Sequence, residues 1–151
     1  MYEEGQTMKE EGFSLIELLI VVAIIGIISA IAVPNLLGAK KMSYQSTAVR
    51  YLKSWVAGQE LYKRVNGAYA DSDDALVTGR FVERALDSNG IPDDVAYTYS
   101  VDSPPGSTTN WYGRARRRSI FTATLSYYID QTGVIRAANS GTANATDPPM
   151  Q

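Results

Sequence analysis

The sequence predicts an α+β chain: one long N-terminal helix, apolar in its first half and amphipathic in its second, packed on a small antiparallel sheet. Three patterns predict it. From Phe13 to Val33 the residues are almost all apolar, with a single charge at Glu17. Behind that run Ala48, Val49, Leu52, Trp55, Val56, Tyr62 and Val65 recur at three- and four-residue spacing, the period of a helix with one buried face. Further on, apolar and polar residues alternate, the period of a half-buried strand.

Residues 13–35 form the apolar helix. A bilayer takes about 20 apolar residues to cross, and this run is long enough. A carboxylate inside such a helix costs roughly 2.5–3.5 kcal/mol on insertion scales, so Glu17 is expected to have a partner and a role. Pro34 has no amide hydrogen and its ring meets the carbonyl of Ala30, which predicts a kink or local unwinding. Gly26 is a second weak point. Residues 36–66 continue as the amphipathic half, with Lys40, Lys41, Arg50, Lys53, Lys63 and Arg64 on its other faces and Asn66-Gly67 as its end.

Residues 67–151 hold a connecting loop, the sheet and a tail. Short helical pieces are expected at Asp71–Val77, capped by Asp71 or Ser72, and at Phe81–Leu86. Val95, Tyr97, Tyr99 and Val101 alternate with small polar residues as a strand, broken by Asp102-Ser-Pro-Pro-Gly106. A second strand is expected over Ser119–Ile129, with Phe121, Ala123, Leu125, Tyr127 and Ile129 on one face. Asp130-Gln-Thr-Gly133 is a turn and Val134 to Ala137 returns, giving an antiparallel meander. The tail from Asn139 is small, polar and Pro-bearing, and is expected to be mobile.

Composition excludes several chemistries. Lys and Arg total 14 and Asp and Glu 16, which gives no bulk attraction to nucleic acid or membrane. There is no cysteine and no histidine, which removes disulfides, thiol nucleophiles and His-dependent acid–base catalysis. No catalytic constellation stands out, and no cofactor or metal is expected. Asp71, Asp73, Asp74, Asp87, Asp93 and Asp94 cluster in sequence without EF-hand spacing, and read as solvated loop carboxylates. Arg114, Arg116, Arg117 and Arg118 form the one dense basic patch, with Trp111 and Tyr112 just upstream. Such a patch can contact DNA phosphates and stack bases, but pairing with carboxylates of the same or a neighbouring chain is the simpler reading. Asn144-Ala-Thr146 matches a three-residue glycosylation sequon. Ten Tyr, three Phe and two Trp at core periods do not support electron conduction.

The N-terminus reads three ways from its residues: a short leader cut before the apolar run, a secretory signal cut after Ala30-Ile-Ala32, or an uncut single-pass anchor. The segment before the run is acidic, unlike a secretory signal, and Glu17 interrupts what would be the signal core. Gly12-Phe13-Ser14-Leu15-Ile16-Glu17, the apolar run behind them and Pro34-Asn35 resemble the N-terminus of type IV pilins and type II secretion pseudopilins. The resemblance implies a pilin-like fold and a leader at residues 1–12, removed between Gly12 and Phe13. It implies N-methylation of the new Phe13 amine and pairing of Glu17 with that amine on a neighbouring subunit. It also implies that the helix can melt between Gly26 and Pro34 in the filament. A helical homopolymer is implied, with a prepilin peptidase, a pilus assembly ATPase and a platform protein as partners. The chain would lie first in the inner membrane as a single-pass precursor, then in an extracellular filament.

Some features depart from that pattern. Leaders of this kind are usually basic, whereas Met1 to Gly12 carries Lys9 against Glu3, Glu4, Glu10 and Glu11. Met8 is an alternative start. Lys40, Lys41, Arg50 and Lys53 lie after the run, and the positive-inside rule alone would place the C-terminal part of the chain in the cytoplasm. The rivals to a pilus subunit are a pseudopilin, a minor pilin and, from another class, an anchored or secreted binding module. Pseudopilin major subunits often carry an Asp-Pro-Trp-Gly stretch, which this chain lacks.

Overall fold

The computed structural model describes residues 12–82, 96–104, 106–139 and 141–150. The chain divides into two units, Met1–Leu37 and Gly38–Gln151. Helix α1 runs Leu15–Asn66 and contributes to both. In the first unit the helix is apolar on every side and every residue of it is solvent-exposed. A helix apolar all round needs lipid or other helices around it.

In the second unit α1 buries Ala48, Tyr51, Leu52, Trp55, Gly58 and Gln59. These positions keep the helical period, but the buried stripe is displaced from the expected one. Val65 is exposed and Val56 and Tyr62 are half-buried, while Tyr51, Gly58 and Gln59 take inner places. The reason for Gln59 is local. Its amide donates to Ala70 O at 3.0 Å and accepts from Ala70 N at 2.8 Å, so a polar side chain caps the backbone that returns beside the helix. Gly67, at φ +80°, supplies the left-handed residue that lets the chain leave α1.

Helix α2, Asp73–Thr78, starts at Ser72, whose hydroxyl accepts from Ala75 N. Of the two expected short helices this is the first. Most of the second, at Phe81–Leu86, lies outside the described residues, as do Val95, Asp87, Asp93 and Asp94.

The sheet is an antiparallel meander in the order β1-β2-β3-β4, with β1 Tyr97–Asp102, β2 Tyr112–Arg117, β3 Ser126–Asp130 and β4 Arg136–Ala138. Register explains the core. Tyr99 stands opposite Ala115 and Val101 opposite Gly113, so bulky residues of β1 face small ones of β2. The space above Gly113 is filled by Trp55. A methyl group on Gly113 would lie 2.5 Å from Trp55 Cε3 and 2.7 Å from Cζ3. Tyr51 and Tyr99 meet edge-on at 5.0 Å, and Tyr51 and Trp55 at 5.1 Å, joining helix to sheet through aromatic contacts.

Three expectations are corrected. The strand predicted over Ser119–Ile129 begins only at Ser126. Residues 119–122 form a tight turn instead: Ser119 O accepts from Ala123 N at 3.0 Å, Ser119 Oγ accepts from Phe121 N at 3.1 Å, and Phe121 is 80% exposed. Hydroxyl-to-backbone bonds of this kind compete with strand pairing. Next, β2 occupies the segment read only as a basic patch. Its inner positions are Gly113 and Ala115, too small to give an alternating apolar signal. Finally, the tail is held. Met150 N donates to Ile135 O at 2.8 Å, Ala137 N to Pro148 O at 3.2 Å, and Arg136 bridges to Pro149, so the tail covers the edge of β4. The turn before β4 is as expected, with Asp130 Oδ1 accepting from Thr132 N at 2.9 Å and Gly133 at φ +73°.

Candidate assembly site

The start of α1 carries the glutamate half of a capping box. Ser14 is the residue before the helix, and Glu17 is the third residue within it. The Ser14 amide donates to Glu17 Oε2 at 2.8 Å, and Ser14 O accepts from Leu18 N at 3.2 Å. Glu17 thereby satisfies an amide that the helix leaves without a partner, and sets a negative charge at the positive end of the helix dipole. Phe13 precedes Ser14 and is 89% exposed. From Leu15 to Leu37 Glu17 is the only charge, and all of its large apolar neighbours are exposed. One carboxylate is thus fixed within a turn of the helix start on a surface that has to be covered. Gly26 and Pro34 lie inside α1, which is unbroken through both. The ring of Pro34 removes one hydrogen bond without ending the helix.

The arginine patch is the outer face of β2 and its exit. Arg114 stacks over the Tyr112 ring at 4.6 Å. Arg117 donates through Nη1 to Thr124 O, and Arg118 through Nε to Thr98 Oγ1 at 3.3 Å. Arg116 points outward from the strand and is exposed. Among the described residues no carboxylate forms an ion pair with these four arginines. The expected pairing with loop carboxylates is therefore not seen within the described part of the chain. Nor do the described residues bring three carboxylates together at a metal-binding distance.

Comparison with known proteins bears on the N-terminal segment. Residues 7–33 match the model of the prokaryotic N-terminal methylation motif, a stretch that contains Gly12, Phe13 and Glu17. The chain is 44% identical over 68 residues to the type IV wide pilus major component PilA4 of Thermus thermophilus, covering 45% of this chain and 52% of that protein. The N-terminal part of the chain is type IV pilin-like. The chain is also 40% identical over 73 residues to the type II secretion system core protein G of Vibrio cholerae, covering 46% of this chain and 50% of that protein. The type IV major pilin PilA of Myxococcus xanthus matches at 44% over 63 residues, 42% of this chain and 29% of that protein. The chain spans about half the length, or less, of the curated relatives it matches.

The fold agrees with that likeness: a long N-terminal apolar helix and a small four-stranded antiparallel sheet against its second half. Of the pilin-like site residues read from sequence, the structure brings Phe13 and Glu17 to one helix end, together with Gly12. Ser14 joins them as a residue the sequence reading missed, although Ser-x-x-Glu ahead of an apolar run is itself a legible helix-start signal. The outward row of Arg114 and Arg116 is legible in sequence as charge, but its place on a strand is not.

Proposed function

We propose that this chain is the structural subunit of a type IV pilus. It is made as a precursor held in the inner membrane by the apolar part of α1, then cut between Gly12 and Phe13 and methylated on the new amine. The observation that carries this reading is the geometry at the helix start: a lone carboxylate, one turn from the cleavage point, on an otherwise apolar and wholly exposed helix.

Cleavage creates a cation on Phe13. Buried in a bundle of apolar helices, that amine and Glu17 each need a partner, and pairing between neighbours removes both penalties. Pairing also selects one axial stagger, since other staggers leave two charges in an apolar core. The capping bond orients the carboxylate before assembly, and the sheet unit is carried on the outside. Gly26 and Pro34 are the places where α1 unwinds most readily in the filament. A prepilin peptidase processes the chain, and an assembly ATPase with a platform protein drives polymerisation. The subunit performs no chemistry of its own.

A type II secretion pseudopilin is the second reading, favoured by the likeness to core protein G. Long sheared surface filaments made of this chain separate the two. The primary test is mass spectrometry of the N-terminus of protein sheared from cells. A chain beginning at methylated Phe13 in that fraction supports both processing and surface assembly. A chain beginning at Val33 identifies a secreted soluble domain and overturns the proposal.

A further inference from the structure

A second feature lies at the opposite end of the meander from the β1–β2 loop. The tight turn at residues 119–122 presents Ile120 and Phe121 to solvent, 60% and 80% exposed, on a loop fixed by its own hydrogen bonds. Lys41 Nζ donates to Ile120 O at 3.1 Å, which ties this tip to α1. Lys41 is eight residues beyond Val33, the last residue of the apolar run. Eight residues of α1 rise about 12 Å along its axis. The headgroup layer is roughly 5–8 Å deep on each side of the hydrocarbon. A chain anchored by its apolar run therefore keeps the tip within reach of the lipid headgroups.

The surroundings of the tip match a bilayer surface with anionic lipid. Arg118 is two residues before Ile120. Arg116, Arg117 and Arg118 line an open groove of about 470 Å³ with Thr98, Gly141 and Thr142. Among the described residues no carboxylate lines that groove, and the sequence has no Asp or Glu between Asp102 and Asp130. Ser126 Oγ donates to Gly141 O at 2.8 Å and accepts from Arg117 N at 3.2 Å, so two walls of the groove are tied together. Lys40 and Lys41 add charge on the helix side. Exposed apolar residues flanked by Lys and Arg are the composition of an interfacial anchor, in which basic groups take lipid phosphates while apolar side chains enter the acyl boundary.

We propose that the Ile120–Phe121 tip and the Arg116–Arg118 groove dock the subunit's sheet unit on anionic phospholipid headgroups while the precursor waits in the membrane. This rests on the membrane-held precursor of the proposed function. It also accounts for Lys40 and Lys41, whose charge opposes the topology of that reading: they serve the leaflet on the sheet unit's own side. Release of the tip from lipid then becomes a step of subunit extraction.

The absence of native cysteine makes the test direct, because one engineered thiol carries the only label. The full chain is reconstituted at low density in phosphatidylcholine vesicles, with and without about 30% phosphatidylglycerol to supply the anionic surface. An environment-sensitive probe is placed at Phe121→Cys or, separately, at Ile24→Cys. The Ile24 probe reports insertion of the apolar run in either lipid. The Phe121 probe is expected to shift to an apolar environment and be quenched by brominated acyl chains only in the anionic vesicles. Arg116→Ala and Arg118→Ala are each expected to weaken that preference about fivefold. A buried Ile24 probe with a water-exposed Phe121 probe overturns the docking inference and leaves the anchor standing. Two water-exposed probes overturn both. Burial of Phe121 that grows with protein-to-lipid ratio assigns the tip to a second copy of the chain. A response to added oligonucleotide in neutral vesicles assigns the arginines to nucleic acid. Either of these last results also overturns the inference.

Discussion

Replacing Glu17 by Gln separates the two roles that its carboxylate holds in the proposed assembly. Either side chain can accept the Ser14 amide, which Glu17 accepts at 2.8 Å, so the start of α1 survives in E17Q. Only the carboxylate neutralises the Phe13 amine of a neighbour. Removing one member of a buried ion pair costs about 3–5 kcal/mol. At about 1.4 kcal/mol per tenfold, the equilibrium constant for adding each subunit falls by roughly two to three and a half orders of magnitude. Glu17→Ala also loses the cap, worth about 1 kcal/mol, a further factor of roughly five. The assay is the yield of sheared filament against subunit retained in the membrane, with mass spectrometry confirming cleavage after Gly12. Both variants should accumulate in the membrane, with E17A no better than E17Q. A normal filament yield from E17Q beside a defective E17A refutes the ion-pair argument and leaves capping as the work of Glu17.

Other expectations concern the sheet unit. Gln59→Leu leaves both backbone groups of Ala70 without their partners, which at about 1–3 kcal/mol each lowers stability by about 2–6 kcal/mol, read from urea unfolding in detergent. Gly113→Ala forces a methyl group against the Trp55 ring and is expected to cost about 1–3 kcal/mol. Trp55→Leu in the same chain should recover part of that cost, and additive losses in this double-mutant cycle would show that the clash is not the cause. Tyr69, buried and donating to Glu60 at 2.7 Å, has its pKa pushed up to about 12 by burial, by that bond and by the Glu60 charge. Its contribution is complete below the unfolded value near 10 and is lost as pH rises from there through about 12. Tyr69→Phe should therefore flatten the fall of the thermal midpoint over that window, and an unchanged slope would count against it.

The N-terminal end of the molecule is the most legible part. A membrane-length apolar run and a single carboxylate are properties of residues in a row, and a helix needs only local sequence to place Ser14, Glu17 and Phe13 within one turn. The β1 strand is legible for a similar reason: Tyr97, Tyr99 and Val101 alternate strongly enough to mark a buried face. Glu17's hold on the Ser14 amide is equally local, a contact three residues long that the Ser-x-x-Glu spacing carries alongside the charge.

What the sequence determined by itself was therefore the helix, its lone charge and the α+β class, since hydrophobic period and capping act between neighbours in the chain. Only the tertiary structure decided that Gly113 and Ala115 make a central strand. The burial of Gly113 depends on Trp55, distant in sequence, filling the space that its missing side chain leaves. It likewise decided that Gln59 belongs to the core, because both polar ends of its amide are satisfied by one returning backbone segment. The tail is held for a parallel reason: β4 leaves an edge open, and the hydrogen bonds from Ala137 and Met150 close it. Local patterns specify an element when its partner is itself. Where the partner is distant, the small or polar residue that fits looks ordinary until the other surface is beside it.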